Sequence, residues 1–452
     1  MAGGNYTQGN FAPVRDELTI TELEVTGTLP AQLDGRYLRN GPNPVGEPDP
    51  ATYHLFMGTG MVHGVRLRDG RAEWYRNRWV RSAEVAEALG ELPRPGPVHA
   101  GMDFSANTHV VGQGGRTFAI VEAGSRPYEL TDELDTVGPC DFDGTLPGGY
   151  TAHPKRDPLT GELHAVSYWW GWGNKVQYSV IGTDARVRRT VDVEVAGSPM
   201  MHDFSLTESH VVLYDMPVTF DGDKVASGTL PYTWNPDYPC RVGVMAREGD
   251  GSDVRWFEVE PCYVYHPLNA YDDGDRVVLD VVRHPRTFAT DHNGPNEGAS
   301  LLHRWTVDLV GGKVVEELLD DHNQEFPRID ERLVGRRHRY GYTVGLVDDM
   351  SGGPYADAGV GIVSSSLVRH DLVAGRSQVR TFGPGTEPSE FVFVPDGPDS
   401  AEEEGVLLGY VYDPAVDRSD LMVLDAATLD TVAAVHLPAR VPQGFHGSWI
   451  AN

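Results

Sequence analysis

Short apolar runs broken by turn-forming pairs, with almost no helical periodicity between them, set the tightest limit on this chain's fold. Val62 to Leu67 turns at Asp69-Gly70 into Ala72 to Val80, a hairpin by pattern and by turn chemistry. The design recurs at Gly114-Gly115 between Val110 and Val121, at Thr160-Gly161 before Leu163 to Trp170, and at Gly311-Gly312 between Trp305 and Leu318. Later copies turn around Ala374-Gly375 and near Ala426-Ala427. With 52 Gly and 32 Pro as punctuation, the one clear helical signal is Ser82 to Leu89, stopped by Gly90 and Pro93. The pattern predicts an all-β fold. Hairpins numerous enough for several four-stranded units favour a propeller over a sandwich. No break in composition separates domains, so residues 1–452 read as one.

Charge narrows the partners. Lys+Arg 37 against Asp+Glu 66 gives a net charge of −29, which opposes nucleic acid and anionic membrane surfaces and keeps the surface solvated. Cys140, Cys240 and Cys262 are an odd, sparse set without a CxxC pair, which predicts a reduced, cytoplasmic protein with buried thiols. MAGGNYTQGN has neither the basic nor the apolar region of a signal peptide, and no run approaches the roughly 18 apolar residues of a membrane span. The acidic segment Asp396 to Glu404 reads as a solvated loop. The aromatic, Pro-rich stretch Leu230 to Pro239 reads as the lip of an apolar entrance or as a rigid turn.

Four of the 17 histidines share a setting: His153 before Pro154, His202 before Asp203, His266 before Pro267 and His446 before Gly447. Each follows small or apolar residues at the end of a strand and precedes a turn former or a small polar residue. For His266 an aromatic strand arrives at Tyr265, and a turn at Asp273-Gly274 sends Val277 to Val282 back. Singly, such a residue is more often a hydrogen-bonded core histidine than a metal ligand. Their separations of 49, 64 and 180 residues match no zinc-finger or HExxH spacing, so they can meet only where a fold brings distant strands to one axis. A propeller does that. Four neutral imidazoles bind a divalent first-row metal without cancelling its charge, and Fe(II) so held stays electrophilic with positions open for O2. Such imidazoles need orienting through their second nitrogens. Glu122, Glu325 and Glu390, each set in apolar sequence where an unpaired carboxylate is costly, are the candidates, with an Arg pair or a turn cap as the competing reading.

These residues resemble the carotenoid cleavage oxygenase family, which includes apocarotenoid, retinoid and stilbene cleavers. The resemblance begins at Gly35-Arg36-Tyr37-Leu38-Arg39-Asn40-Gly41-Pro42-Asn43-Pro44, continues through His54-Leu55-Phe56-Met57 to His63, and takes in all four histidine settings. It implies a seven-bladed β-propeller, with a cap of loops and short helices over an axial non-haem Fe(II) held by His153, His202, His266 and His446. It implies that Glu122, Glu325 and Glu390 stand behind three of these imidazoles, leaving His153 without an acid. It places Thr108 where a methyl partly blocks one iron position, with an ordinary strand threonine as the alternative.

The implied activity is cleavage of a C=C bond of a carotenoid or apocarotenoid by O2, giving two carbonyl products without an external reductant. Tyr265, Phe445 and the run Tyr168 to Trp172 are candidates to line a hydrophobic tunnel, with core packing the commoner role of such a Trp-rich run. Two departures stand out. Met57-Gly58-Thr59-Gly60 replaces a frequent Asp-Gly-Asp-Gly, which bears on local loop structure. Val121 stands where stilbene cleavers carry a Lys that engages the substrate phenol, so the pocket is apolar there. Stilbene or phenylpropene cleavage is therefore the alternative, and retinoid isomerohydrolysis, which needs no O2, a further one. A propeller that only binds partners is the reading from a different class, set against by the four histidines and three acids. The pattern is compatible with peripheral contact of the entrance with a membrane.

Overall fold

The computed structural model describes residues 6–50, 52–225, 229–347 and 363–452. Their strands form seven antiparallel blades around one axis, with a separate two-stranded ribbon of Val218–Phe220 and Tyr232–Trp234. Blades 2 to 6 each run outward in chain order. Their first strands are His109–Gln113, Lys155–Arg156, Phe204–Leu206, Pro267–Asp273 and Gln324–Arg328. Blade 7 opens on two short pieces, Glu387–Pro388 and Val392–Pro395, which both pair with Gly405–Asp413.

Blade 1 and blade 7 close the ring by exchanging strands across the sequence. Gly447–Ala451 pairs with Gly35–Pro42 as the first strand of blade 1, and Glu24–Gly27 pairs with Thr431–His436 at the outer edge of blade 7. Closure removes the gap that an open ring of blades would leave.

Turn chemistry explains the hairpins. Asp69 and Gly70 both sit at positive φ, 49° and 70°, as do Gly114 and Gly115 at 58° and 72°. This is the two-residue geometry whose twist matches paired strands. Helix Ala83–Ala88 forms where the sequence predicts it, with the Ser82 hydroxyl accepting from Val85 N at 3.3 Å.

Two expectations shift. The strand from Leu163 stops at Tyr168, and Trp170–Trp172 turns instead. His266 precedes the strand Pro267–Asp273 and does not end an arriving one; strands likewise begin at Lys155, Phe204 and Gly447, within two residues of His153, His202 and His446.

The core lies between blades. Val176, Tyr178, Leu213, Leu279 and Trp305 join blades 3 to 5, and Tyr37, Tyr75, Leu408 and Val435 join blade 7 to blade 1. Cys140, Cys240 and Cys262 are buried and free. Among the described residues no helix is long and apolar enough to cross a membrane.

Candidate metal centre

Each blade delivers one residue to the same end of the axis, at or beside its first strand. In order these are His446, His109, His153, His202, His266, Glu325 and Glu390. Local sequence sets the approach. Pro154 and Pro267 restrict the histidines before them to extended backbone. Gly447 sits so close to Gly35–Pro42 that a Cβ would lie 2.7 Å from the Leu38 carbonyl oxygen. In blade 6 a bulge between Glu325 and Arg328 places Phe326 at φ 53°, a left-handed conformation costly for an aromatic residue. That bulge turns Glu325 toward His266 and stacks the Phe326 ring 5.7 Å from it.

His153, His202, His266 and His446 are all buried, and one nitrogen from each lies within 4.8 Å of the others. His202 Nε2 is 2.9 Å from His153 Nε2 and 3.2 Å from His266 Nε2. Two donors at right angles, each about 2.1 Å from one ion, stand about 3 Å apart, so this spacing suits a shared metal.

Glu122 lies 2.9 Å from His202 Nδ1, Glu325 2.6 Å from His266 Nδ1 and Glu390 2.9 Å from His446 Nδ1. A carboxylate only accepts, so each of these Nδ1 atoms carries its proton and the neutral ring's Nε2 is a bare lone pair. Bare lone pairs about 3 Å apart in a buried space repel one another unless a cation sits among them. The donor set fits a divalent metal.

Protonation follows burial and charge. Burial, then the neighbouring imidazoles, holds His153 and His446 well below the usual histidine value. Burial would lower His266 too, but the charge and hydrogen bond of Glu325 outweigh it and push it up. Glu325 is itself held far down by His266 and His284 against its burial. His153 has no glutamate: its Nδ1 is 3.9 Å from Asp203, beyond hydrogen-bond reach, and Asp203 pairs with Lys155 at 2.8 Å.

The histidines divide two spaces. On one side lies a cavity of about 650 Å³, bordered by His202, His266 and His446 and walled mostly by apolar and aromatic side chains. Val121, Tyr265, Phe445 and Thr108 all line it, as do Tyr168 and Trp170. Trp169 and Trp172 pack on His99 instead, with ring centres 4.7 and 5.9 Å away. Leu230, Pro231 and Tyr232 contribute to the wall, so only the start of the aromatic loop borders the cavity. Phe56, Met57 and Gly58 line it too, from a short 3-10 turn at the departing Met57-Gly58-Thr59-Gly60 stretch. The Thr108 hydroxyl donates to Asn107 Oδ1 at 2.8 Å, leaving its methyl as the uncommitted group. On the other side His153, His266 and His446 border a second cavity of about 540 Å³ whose mixed wall includes the charged Lys155, Arg156, Asp203 and Arg328.

Three residues around this centre escape a reading of sequence. His284 Nε2 lies 2.8 Å from the second oxygen of Glu325, Arg328 is 3.4 Å from Glu390, and the His109 ring sits 5.4 Å from that of His446. His284 looks like a surface residue between Arg283 and Arg286, Arg328 like the partner of the acids Asp330 and Glu331 that follow it, and His109 like one polar position of an alternating strand. His109 heads its strand whereas the four other histidines sit just before theirs, so no shared setting marks it in the sequence.

The family profile described as "RPE65: Retinal pigment epithelial membrane protein" matches residues 11–451. A "Carotenoid cleavage oxygenase" of Mycobacterium tuberculosis is 54% identical over 98% of this chain and 97% of its own length. The crystal structure of Pseudomonas brassicacearum lignostilbene dioxygenase superposes with a TM-score of 0.89 at 28% identity, covering 99% of this chain and 98% of that one. The cobalt-substituted Synechocystis ACO gives 0.85 at 25% identity, covering 97% of each chain.

Proposed function

Because this chain belongs to the carotenoid cleavage oxygenase family, we propose that it is an Fe(II)-dependent dioxygenase that cleaves a C=C bond of a carotenoid or apocarotenoid. One alkene and one O2 give two carbonyl groups, so atoms balance and no reductant is consumed. The observation that carries the reading is the set of converging Nε2 lone pairs bordering a large apolar cavity. When bound there, iron(II) supplies a Lewis-acidic, redox-active centre for O2.

The chain's residues do the rest. His153, His202, His266 and His446 act as neutral donors, so the ion keeps its charge. Glu122, Glu325 and Glu390 fix ring orientation through Nδ1 and raise donor basicity. Tyr265, Phe445 and Val121 line the space for the polyene and exclude water from it. Thr108, with its hydroxyl engaged by Asn107, offers a methyl toward limiting access to the ion. No side chain is asked to act as acid or base.

The substrate reading rests on the wall chemistry. Val121 cannot pair with a phenolate, which favours a polyene over the stilbene class of the Pseudomonas lignostilbene dioxygenase. Incubation of the anaerobically prepared Fe(II) protein with a carotenoid and apocarotenal panel under isotopically labelled O2 tests this, with products trapped before exchange with water. Label in both carbonyl products is the expected result. Products carrying only water-derived oxygen overturn dioxygenation, and faster turnover of resveratrol-like substrates than of any polyene overturns the substrate class. Conversion of a retinyl ester without O2 would mark an isomerohydrolase instead.

A further inference from the structure

Three of the four converging imidazoles have a carboxylate behind them, and His153 has none. We propose that His109 is the positioning residue for His153, acting through the backbone in place of a fourth acid. The inference rests on the metal reading above and goes beyond it. His109 heads the first strand of blade 2, between the blades that deliver His446 and His153. It therefore occupies the place in the ring where another ligand would stand. Both of its nitrogens are engaged by protein instead.

His109 Nδ1 lies 3.0 Å from the Ala152 carbonyl oxygen, while Nε2 lies 3.1 Å from Ser448 Oγ and 3.2 Å from the Gly447 oxygen. A neutral imidazole has one N–H to give. The Ala152 carbonyl can only accept, whereas the Ser448 hydroxyl can donate. Both contacts are satisfied when Nδ1–H donates to Ala152 O and Ser448 O–H donates to Nε2. The Gly447 oxygen then has Arg328 as its donor, at 3.3 Å.

The consequence falls on the peptide group that joins Ala152 to His153. Its carbonyl is held by His109, and its N–H donates to Thr151 Oγ1 at 3.1 Å. Pro154 confines the His153 backbone from the other side. With both flanking peptides fixed, the Cα–Cβ bond of His153 points one way, and the ring needs no partner at Nδ1. His109 also ties this loop to the closing strand, since Ser448 follows His446 by two residues and His446 N donates to Thr108 O at 3.0 Å.

The test uses the full chain, stripped of metal and reloaded with Co(II), without substrate. His109→Phe keeps a ring against His153 and His446 and removes both nitrogens. His109→Asn returns an amide N–H close to the position of Nδ1. The Phe variant is expected to lose about tenfold or more in Co(II) affinity by chelator competition and to shift the visible absorption bands of the bound ion. The Asn variant is expected to recover most of both. A Phe variant with the parent's affinity and spectrum overturns the inference, as do equal losses in the two variants, which would leave His109 a packing role only. Should the Phe variant not fold, Ser448→Ala decides by the same spectrum: a shift supports the inference and an unchanged spectrum overturns it. A parent chain that takes up no Co(II) or Fe(II) refutes the metal reading itself.

Discussion

Replacing Glu325 with Gln isolates the charge behind His266 from the hydrogen bonds that go with it. Glu325 accepts from His266 Nδ1 at 2.6 Å and from His284 Nε2 at 2.8 Å. Glutamine can keep its oxygen toward His266, which turns its NH2 toward His284. The buried His284 Nδ1 has no hydrogen-bond partner among the described residues, so the His284 proton can move there and free Nε2 to accept. Residue 325 therefore keeps its contacts with His266 and His284 with one negative charge fewer, while the proton moved to His284 Nδ1 is left without an acceptor among the described residues. A charge-assisted hydrogen bond is worth about 1.5–3 kcal/mol and a neutral one about half that, so the loss at His266 comes to about 0.8–1.5 kcal/mol. That is about a four- to twelvefold fall in metal affinity.

Glu325→Ala behaves differently. It strands three buried donors, His266 Nδ1, His284 Nε2 and Phe326 N, at about 1–3 kcal/mol each, and lowers the melting temperature of the metal-free protein as well. Chelator competition with Co(II) or Fe(II), alongside thermal melts of the metal-free forms, separates the two variants. A Gln variant that holds metal like the parent, or an Ala variant that melts like the Gln variant, refutes the reasoning.

Other consequences are as direct. Burial holds His54 at about 3 and His164 and His370 at about 4, well below the ordinary histidine value. The unfolded chain then binds more protons than the fold between these values and about 6.5, so stability falls as pH drops through that window. The loss approaches about 3 kcal/mol per group, and a melting temperature unchanged from pH 6.5 to about 4.5 would contradict it. Val121→Lys puts an ammonium into the apolar wall and should cost polyene turnover at least about tenfold in kcat/KM while improving turnover of phenolic stilbenes, as a substrate panel would register. If the Thr108 methyl matters and its hydroxyl does not, Thr108→Val keeps most of the turnover and Thr108→Ala loses more, in steady-state assays. Trp305→Ala empties a fully buried site between blades and should destabilise the fold by about 3–5 kcal/mol in denaturant titration.

Much of this fold is legible because local chemistry and global architecture agree. Asp69-Gly70 and Gly114-Gly115 adopt the positive φ that their residue types favour, and Ser82 caps the helix it precedes. Blade closure is not legible in that way. Glu24–Gly27 and Gly447–Ala451 look like ordinary short runs, and only long-range pairing says which blade each one joins. At the centre, the setting of each histidine marks it, because Pro, Asp or Gly follows. Glu325 is marked by its apolar flanks. His109, His284 and Arg328 carry no such mark: their roles come from neighbours tens to hundreds of residues away. The strand placement of His266 misleads for a related reason. Aromatic Tyr263 and Tyr265 look like strand, but they are spent on packing beneath the centre, with Tyr263 Oη donating to Met200 O at 2.6 Å.

One strand does two jobs at opposite scales. Gly447–Ala451 latches the first blade, and the residue just before it is His446, which the preceding blade's Glu390 also grips. Winding the circle shut and completing the quartet of nitrogens are thus a single event. An incompletely wound chain would present at most three of them, so binding of an ion would act as a proofreading signal for finished topology.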